Sequence, residues 1–457
     1  MATVTAEHIV VRNPFTGEQV GTVEAMDASE VLQRIEQVAG YESSLGPEER
    51  AELLAAVANR LRAERTTFVD SIVAECGTAV KDARREVDRA CRLLLTCAEE
   101  AKRLFGQTIP VPATGSPARM AITTLEPIGL VLAITPFNRP LNQVVVKLAP
   151  AIAANCPVVL KPSEKTPLTA LRIAELFYQC GLPRPMLTVL TGAPDVVVTT
   201  AIESQHPKMI TFTGSARIGK AIAQQAGMLK TTFELGDSSA LLVLDDADLD
   251  DAVQATVEGA FSSSGQSCRG VKRVIVSEPV ADEFIERLVG RVAELKVGDP
   301  ADPETDIGAL IDEEAAVEVE RRIAEAVEHG AEMQCGGRRS GCQIWPTVLD
   351  RVSQESQLVA EETMGPCAPV IRVNDVEQAI AVANQTKYGL QAGVFTGRLD
   401  TALRCARELR TGTVVVNGGP QFDSPLIPFG GVKDSGLGRE GAAFSMREMS
   451  VVKTVVL

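Results

Sequence analysis

Apolar residues follow two different periods along this chain, and the elements change where the period changes. From Pro47 to Glu75, "PEERAELLAAVANRLRAERTTFVDSIVAE" sets Leu53, Leu54, Val57 and Leu61 at helical spacing, and Pro47 with two glutamates opens the first turn. A second helix is predicted over roughly 80–104. The stretch "FGQTIPVPATGSPAR", 105–119, is rich in Pro, Gly and small residues and leads into the β-type run "MAITTLEPIGLVLAITPFN". It reads as a hairpin or arm leaving its domain. Short apolar runs follow, "GLVLAIT", "CPVVLKP", "MLTVLTG" and "MITFTGS", several separated by helix-like segments such as "LTALRIAELFYQCG". That alternation predicts a parallel, doubly wound sheet. The pattern restarts after Glu234 with "SALLVLDDADLDDAVQATVEGAF" and continues through "GTVVVNGG" near residue 415, so a second α/β domain is expected. The tail "SVVKTVVL" has strand composition and no evident partner in its own domain.

Length and charge narrow the function. A chain of 457 residues exceeds the size at which one core keeps growing, which predicts two or three domains. A net charge of -15 with no concentrated basic surface argues against nucleic acid as a partner. The N-terminal residues lack a basic region followed by an apolar core, so no signal peptide is expected, and no run of about 18 apolar residues predicts a membrane span. Ten cysteines are scattered without a CxxC pair and only three histidines are present. Neither a zinc nor an iron-sulfur site is expected, and reduced thiols in the cytoplasm are the simplest reading.

One cysteine stands apart. In "FSSSGQSCRG", Cys268 lies between Gly265 and Gly270 among small and polar residues, where a ligand can reach the sulfur. A free cysteine is more often a small buried hydrophobe, and a nucleophile needs partners. Glu234 in "TTFELGDSS" follows an apolar residue and precedes a glycine, so its carboxylate can face a cleft or end a strand at the surface. Asn138 in "ITPFNRPLNQ" follows a strand, as a pocket donor or as ordinary turn chemistry. Lys161 and Glu164 in "VLKPSEKTP" sit beyond a strand's carboxyl end, where open parallel sheets bind ligands. In "FTGSARIGK", Gly214 and Gly219 flank Ser215 where a strand hands over to a helix, a place suited to phosphate. "GLGREG", 436–441, spells a dinucleotide fingerprint but follows no strand and reads as a loop.

In order along the chain, "TPFN", "KPSE", "FTGS", "ELG", "GQSC", "EETMGP" and "PFGGVKDSGLGREG" resemble the motifs of the aldehyde dehydrogenase superfamily. The resemblance implies an α/β aldehyde dehydrogenase fold. It places an NAD-binding Rossmann-type domain over 1–104 and 126–235, a catalytic domain over 236–440, and oligomerisation elements over 105–125 and 441–457. It further implies Cys268 as nucleophile, Asn138 as oxyanion donor and Glu234 as the base that activates water. By the same resemblance Thr135, Pro136, Phe137, Lys161, Ser163, Glu164, Gly192, Gly214, Ser215, Leu235, Glu362 and Met364 bind the cofactor. NAD is favoured because Glu164 suits ribose hydroxyls, with Lys165 leaving room for NADP. A homodimer or homotetramer is implied.

Departures from the family pattern carry information. "ELGD" puts Asp237 where a second glycine is usual, and Met364 replaces an aromatic residue. Arg139 follows the catalytic Asn directly and Arg269 follows the nucleophile, with Arg89 in "REVDRA" a third basic residue expected near the substrate. Guanidinium groups beside a reacting carbonyl suit an anionic aldehyde. Within the family the chain looks most like the branch of phosphonoacetaldehyde and phosphonoformaldehyde dehydrogenases, beside lactaldehyde and non-phosphorylating glyceraldehyde-3-phosphate enzymes, which implies a phosphonate- or phosphate-bearing substrate. Three other readings stand beside this one: Arg139 or Arg269 pairing with Asp237, an acylating enzyme that passes the thioester to coenzyme A, and a non-catalytic binding protein on the same fold.

Overall fold

The computed structural model describes residues 3–4, 7–112 and 119–457. The short apolar runs of the first half become strands buried along their whole length, Val131–Ile134, Val158–Lys161 and Met209–Thr213. Such runs suit parallel strands covered by helices on both faces. They join Leu187–Val189 and Lys230–Glu234 in one sheet, all parallel, with Gly436–Leu437 added antiparallel beside Lys230–Glu234. The "GLGREG" segment is therefore partly strand: Phe233 and Glu234 pair with Leu437 and Gly436.

The helical run from Pro47 divides into Pro47–Ala63 and Arg65–Cys76. Glu64 leaves helical geometry at ψ 19°, and after it Phe68, Val69 and Ile72 turn to the core. The second predicted helix is Val80–Ala101. It packs on Pro47–Ala63 and on Asn142–Ala153 and buries Val87, Ala90 and Leu94 in the same core.

The second half builds another sheet in the order Glu332–Cys335, Thr347–Asp350, Cys367–Val373, Arg273–Ser277, Ala240–Val243, Gln391–Phe395 and Thr413–Val416. Only Glu332–Cys335 runs antiparallel to its neighbour among these described strands.

The tail strand Ser450–Val456 pairs residue for residue with Arg119–Pro127, which pairs in turn with Thr108–Val111. Tail and arm are each other's partners within one chain. Residues 113–118 of the predicted arm lie outside the described residues. The segment 441–457 divides in two: helix Ala442–Glu448 packs on Asn142–Ala153 and Val80–Ala101, with Ala442 and Met446 in the first core, and only the strand joins the arm. Among the described residues no helix is long and apolar enough to cross a membrane.

Candidate active site

Helix Leu249–Phe261 ends in a strained turn that delivers Cys268. Ser263, Ser264 and Gly265 take φ of 53°, 53° and 73° in succession, a conformation that costs a non-glycine residue about 1–3 kcal/mol and needs outside support. Support comes from both sides. Asp82 accepts a hydrogen bond from the Ser263 N–H at 2.7 Å, and Lys272 Nζ donates to the Gly265 carbonyl at 2.6 Å. Gly265 admits no side chain, because a Cβ there would collide with the Gly365 carbonyl of the "EETMGP" loop. Cys268 itself is half-buried. Burial pushes its thiol up to about 11, Arg269 and Arg139 pull it down, and Glu362 and Glu234 add to the rise.

Asn138 meets the same turn. Its Nδ2 donates to the Gln266 carbonyl at 2.9 Å, which anchors the amide and leaves its second N–H free to donate. The loop carrying Asn138 is held by Glu86, whose Oε1 accepts from the N–H groups of Leu141 and Asn142, each at 2.9 Å. Asp82, Glu86 and Arg89 lie four and three residues apart on helix Val80–Ala101, so one helix face holds two of these loops and reaches the cavity beside them.

Glu234 ends strand Lys230–Glu234, is buried, and has no hydrogen-bond partner for either oxygen. Burial pushes its carboxyl well above the ordinary range, with the Glu440 charge adding to the rise and Lys147, Arg439 and Arg269 opposing it. Lys147 and Glu440 form a buried ion pair beside it.

Most of the expected cofactor residues lie at the carboxyl ends of the first sheet's strands, and Glu362 and Met364 come from the loop before Cys367–Val373 of the second. Lys161 Nζ meets Glu164 Oε2 at 3.1 Å, and Lys165 is drawn off by Asp312 at 2.6 Å. Thr135 bonds through its backbone to Lys161, Ser163 Oγ accepts from the Lys165 N–H, and Leu235 bonds to Ser435. Lys165 sits 5.4 Å from the ring of Phe137, next to half-buried Pro136. Ser215 caps helix Ala216–Ala226, and a Cβ at Gly214 would collide with the Phe212 ring. Gly192 ends the edge strand's loop against Met26. Glu362 accepts from the Asp237 N–H at 3.2 Å, and burial pushes its carboxyl up to about 7 against the pull of Lys272. Met364 is half-buried in the same loop.

The basic residues part company. Arg139 is half-buried; its carbonyl accepts from the Gln143 N–H, but among the described residues its guanidinium makes no ion pair or hydrogen bond. It lines a cavity of about 380 Å³ together with Arg85, Arg89, Glu258, Ser262 and Ser267, the last being the neighbour of Cys268. Arg89 and Arg269 both clasp Asp423, at 2.5 Å and 2.7 Å. The pairing of an arginine with Asp237 is not what forms. Asp237 is spent elsewhere: its carboxylate accepts from Ser239 and Ser435 hydroxyls and from the N–H groups of Leu390 at 3.1 Å and Gln391 at 3.4 Å. It takes no left-handed conformation, so the residue in place of the usual glycine ties the end of the first sheet to strand Gln391–Phe395 of the second. Asp423, Lys272, Asp82 and Glu86 escaped the sequence reading. Spacing along the helix marks the last two with Arg89, whereas nothing in the irregular segment around Asp423 marks it.

The aldehyde dehydrogenase family model matches residues 2–455. The chain belongs to the aldehyde dehydrogenase family. It is an NAD(P)-dependent aldehyde dehydrogenase with that family's α/β fold. The aspartate-semialdehyde dehydrogenase 1 of Pseudomonas canavaninivorans is 39% identical over 458 residues, 99% of this chain and 97% of the relative. The 3-sulfolactaldehyde dehydrogenase of Priestia aryabhattai is 38% identical over 455 residues, 99% of this chain and 95% of that one. Among solved structures, glyceraldehyde-3-phosphate dehydrogenase GapN from Methanocaldococcus jannaschii, complexed with NADP, superposes with a TM-score of 0.95 at 35% identity, covering 100% of this chain and 99% of its own. The dehydrogenase's residues fit a dinucleotide: a capped helix N-terminus with bare backbone before it, a lysine and a carboxylate at the strand ends, and the buried Thr213 hydroxyl without a partner.

Proposed function

We propose that this dehydrogenase oxidises a small anionic aldehyde to its acid, with Cys268 as nucleophile, Asn138 as oxyanion donor and Glu234 as hydrolytic base. The observation that carries the substrate class is Arg139, a guanidinium without a protein partner in the cavity that runs to Ser267. Among the relatives' substrates, sulfolactaldehyde and glyceraldehyde 3-phosphate are anionic and aspartate semialdehyde carries a carboxylate, whereas lactaldehyde is neutral, so the anionic reading rests on Arg139. Phosphonate, phosphate, carboxylate and sulfonate aldehydes share that chemistry.

In the proposed cycle the Cys268 thiolate forms a C–S bond to the aldehyde carbon, and the carbonyl electron pair moves to oxygen. The free N–H of Asn138 and the Cys268 backbone N–H meet the negative charge there. When bound, the nicotinamide supplies the hydride acceptor. Lys161 and Glu164 would hold the adenine ribose, Ser215 the pyrophosphate and Glu362 the nicotinamide ribose, with Met364 beside the ring. Thioester remains on Cys268. Glu234 takes a proton from water, hydroxide adds to the thioester carbon, and the C–S bond breaks to release acid and thiolate.

Glu164 would repel a 2′-phosphate, and Lys165, the nearby cation that would welcome one, is held by Asp312; NAD is therefore the preferred cofactor. The ten free cysteines fit a reducing cytoplasm. Glu234→Gln should yield a burst of about one NADH per site and then slow turnover, because the variant lacks only the base for hydrolysis. Loss of the burst would assign Glu234 to an earlier step, and a strict requirement for coenzyme A in the parent enzyme would replace hydrolysis with acyl transfer.

A further inference from the structure

Asp423 lies in the irregular segment after strand Thr413–Val416, with about a third of its side chain exposed. Each of its oxygens takes one arginine: Oδ2 meets Arg89 Nη2 at 2.5 Å, and Oδ1 meets Arg269 Nη1 at 2.7 Å. Arg269 is further fixed by the Phe422 carbonyl at 3.5 Å and by the Phe429 ring, 5.4 Å away. Burial pushes the Asp423 carboxyl up, but Arg269, Arg89 and Arg139 outweigh it and hold the group below its ordinary value. The carboxylate thus stands where an anion bridging two arginines would stand, beside the residue that follows Cys268.

Around the Arg139 cavity Arg85, Arg89 and Arg139 face Asp82, Glu86 and Glu258, and beside it Asp423 takes up Arg89 and Arg269. Asp82 and Glu86 are committed to the backbone N–H groups of Ser263, Leu141 and Asn142. Arg139 remains for the substrate, joined by the buried Arg89 Nε, which has no partner. One negative charge can be met there. A second, reaching past Arg89, would approach Asp423, which lines the adjoining cavity with Arg89, the exposed Arg92 and Glu440.

Resting on the anionic-substrate reading, we propose that Asp423 sets the substrate's charge: it fits the site to aldehydes bearing one negative charge, such as carboxylates and sulfonates, and disfavours dianionic phosphate monoesters. Like charges juxtaposed at a site select against the wrong partner, and Asp423, held ionised by its two arginines, is the carboxylate that a second charge would approach.

The test compares kcat/KM at pH 8 for glyceraldehyde 3-phosphate, a dianion there, succinic semialdehyde, a monoanion, and propanal, using the full chain with NAD. The native enzyme should favour the monoanion over the dianion. Asp423→Asn should raise the dianion-to-monoanion ratio about tenfold, and Asp423→Glu should restore the native ratio. A native preference for the dianion overturns the proposal without any variant. So does an Asp423→Asn enzyme, or an Asp423→Ser enzyme should the first fail to fold, that loses efficiency on all three aldehydes with the ratio unchanged; that result would make Asp423 a support for its segment alone. A native enzyme that takes propanal as well as succinic semialdehyde sinks the anionic reading itself, and the charge assignment with it.

Discussion

At the scale of single residues, the chemistry depends on two groups held away from their ordinary ionisation. Burial, with the charges of Glu362 and Glu234, pushes the Cys268 thiol up to about 11 against the pull of Arg269 and Arg139. Below that value the thiolate fraction rises with pH. Alkylation of the cofactor-free enzyme by iodoacetamide should therefore accelerate about tenfold per pH unit from pH 7 to 10. A plateau at pH 7 to 8 would show an already ionised thiol. Glu234, raised by burial and Glu440, must lose its proton to act as base. The hydrolytic step should gain rate as pH rises, over a range above that of an ordinary glutamate. Cys268, Glu234 and Asn138 were legible in the sequence because each lies inside a short contiguous motif. Asp423 was not, since its meaning comes from Arg89 and Arg269, 334 and 154 positions away in a chain that only tertiary structure folds together.

At the scale of elements, helix Val80–Ala101 acts as the site's backboard. Its amphipathic pattern was legible, and its buried face carries Val87, Ala90 and Leu94. What the pattern could not reveal is that the polar residues of the same face accept from loops far along the chain. Asp82 is the clearest case, since it offsets the strain of Ser263 and Ser264. Asp82→Ala leaves the buried Ser263 N–H without an acceptor, a loss of about 1–3 kcal/mol. Thermal unfolding should fall accordingly, and kcat should drop at least about tenfold, with the KM for NAD much less affected. Asp82→Asn keeps a carbonyl oxygen in place and should recover most of the loss. Equal defects in both variants would mean that the charge, and not the acceptor, is what the turn requires.

At the scale of the whole molecule, the alternation of strands and helices was enough to foresee one parallel, doubly wound sheet and a second α/β unit after it. It did not foresee how they are joined, because Gly436–Leu437 and helix Ala442–Glu448 return to the first half from late in the chain through pairings too short to leave a period. The small sheet of arm and tail leaves Ile109, Met120, Val451, Val452, Val455 and Val456 exposed. An exposed apolar sheet of this kind invites pairing with another copy. Light scattering should give a mass at a multiple of 48.6 kDa, and charged substitutions at Val452 and Val455 should lower it. A monomeric native enzyme at working concentration would contradict this expectation.

The central claim, an anionic aldehyde held by Arg139 while Cys268 attacks it, is tested most directly by one ratio. It is kcat/KM for succinic semialdehyde over that for propanal, followed by NADH absorbance in the native enzyme and in Arg139→Met. The substitution keeps much of the stem volume but removes a charge-assisted hydrogen bond, so efficiency on the anionic aldehyde should fall about 10- to 150-fold, with a far smaller loss on propanal. Equal losses on both aldehydes, or a native enzyme indifferent to the charge, would contradict the account.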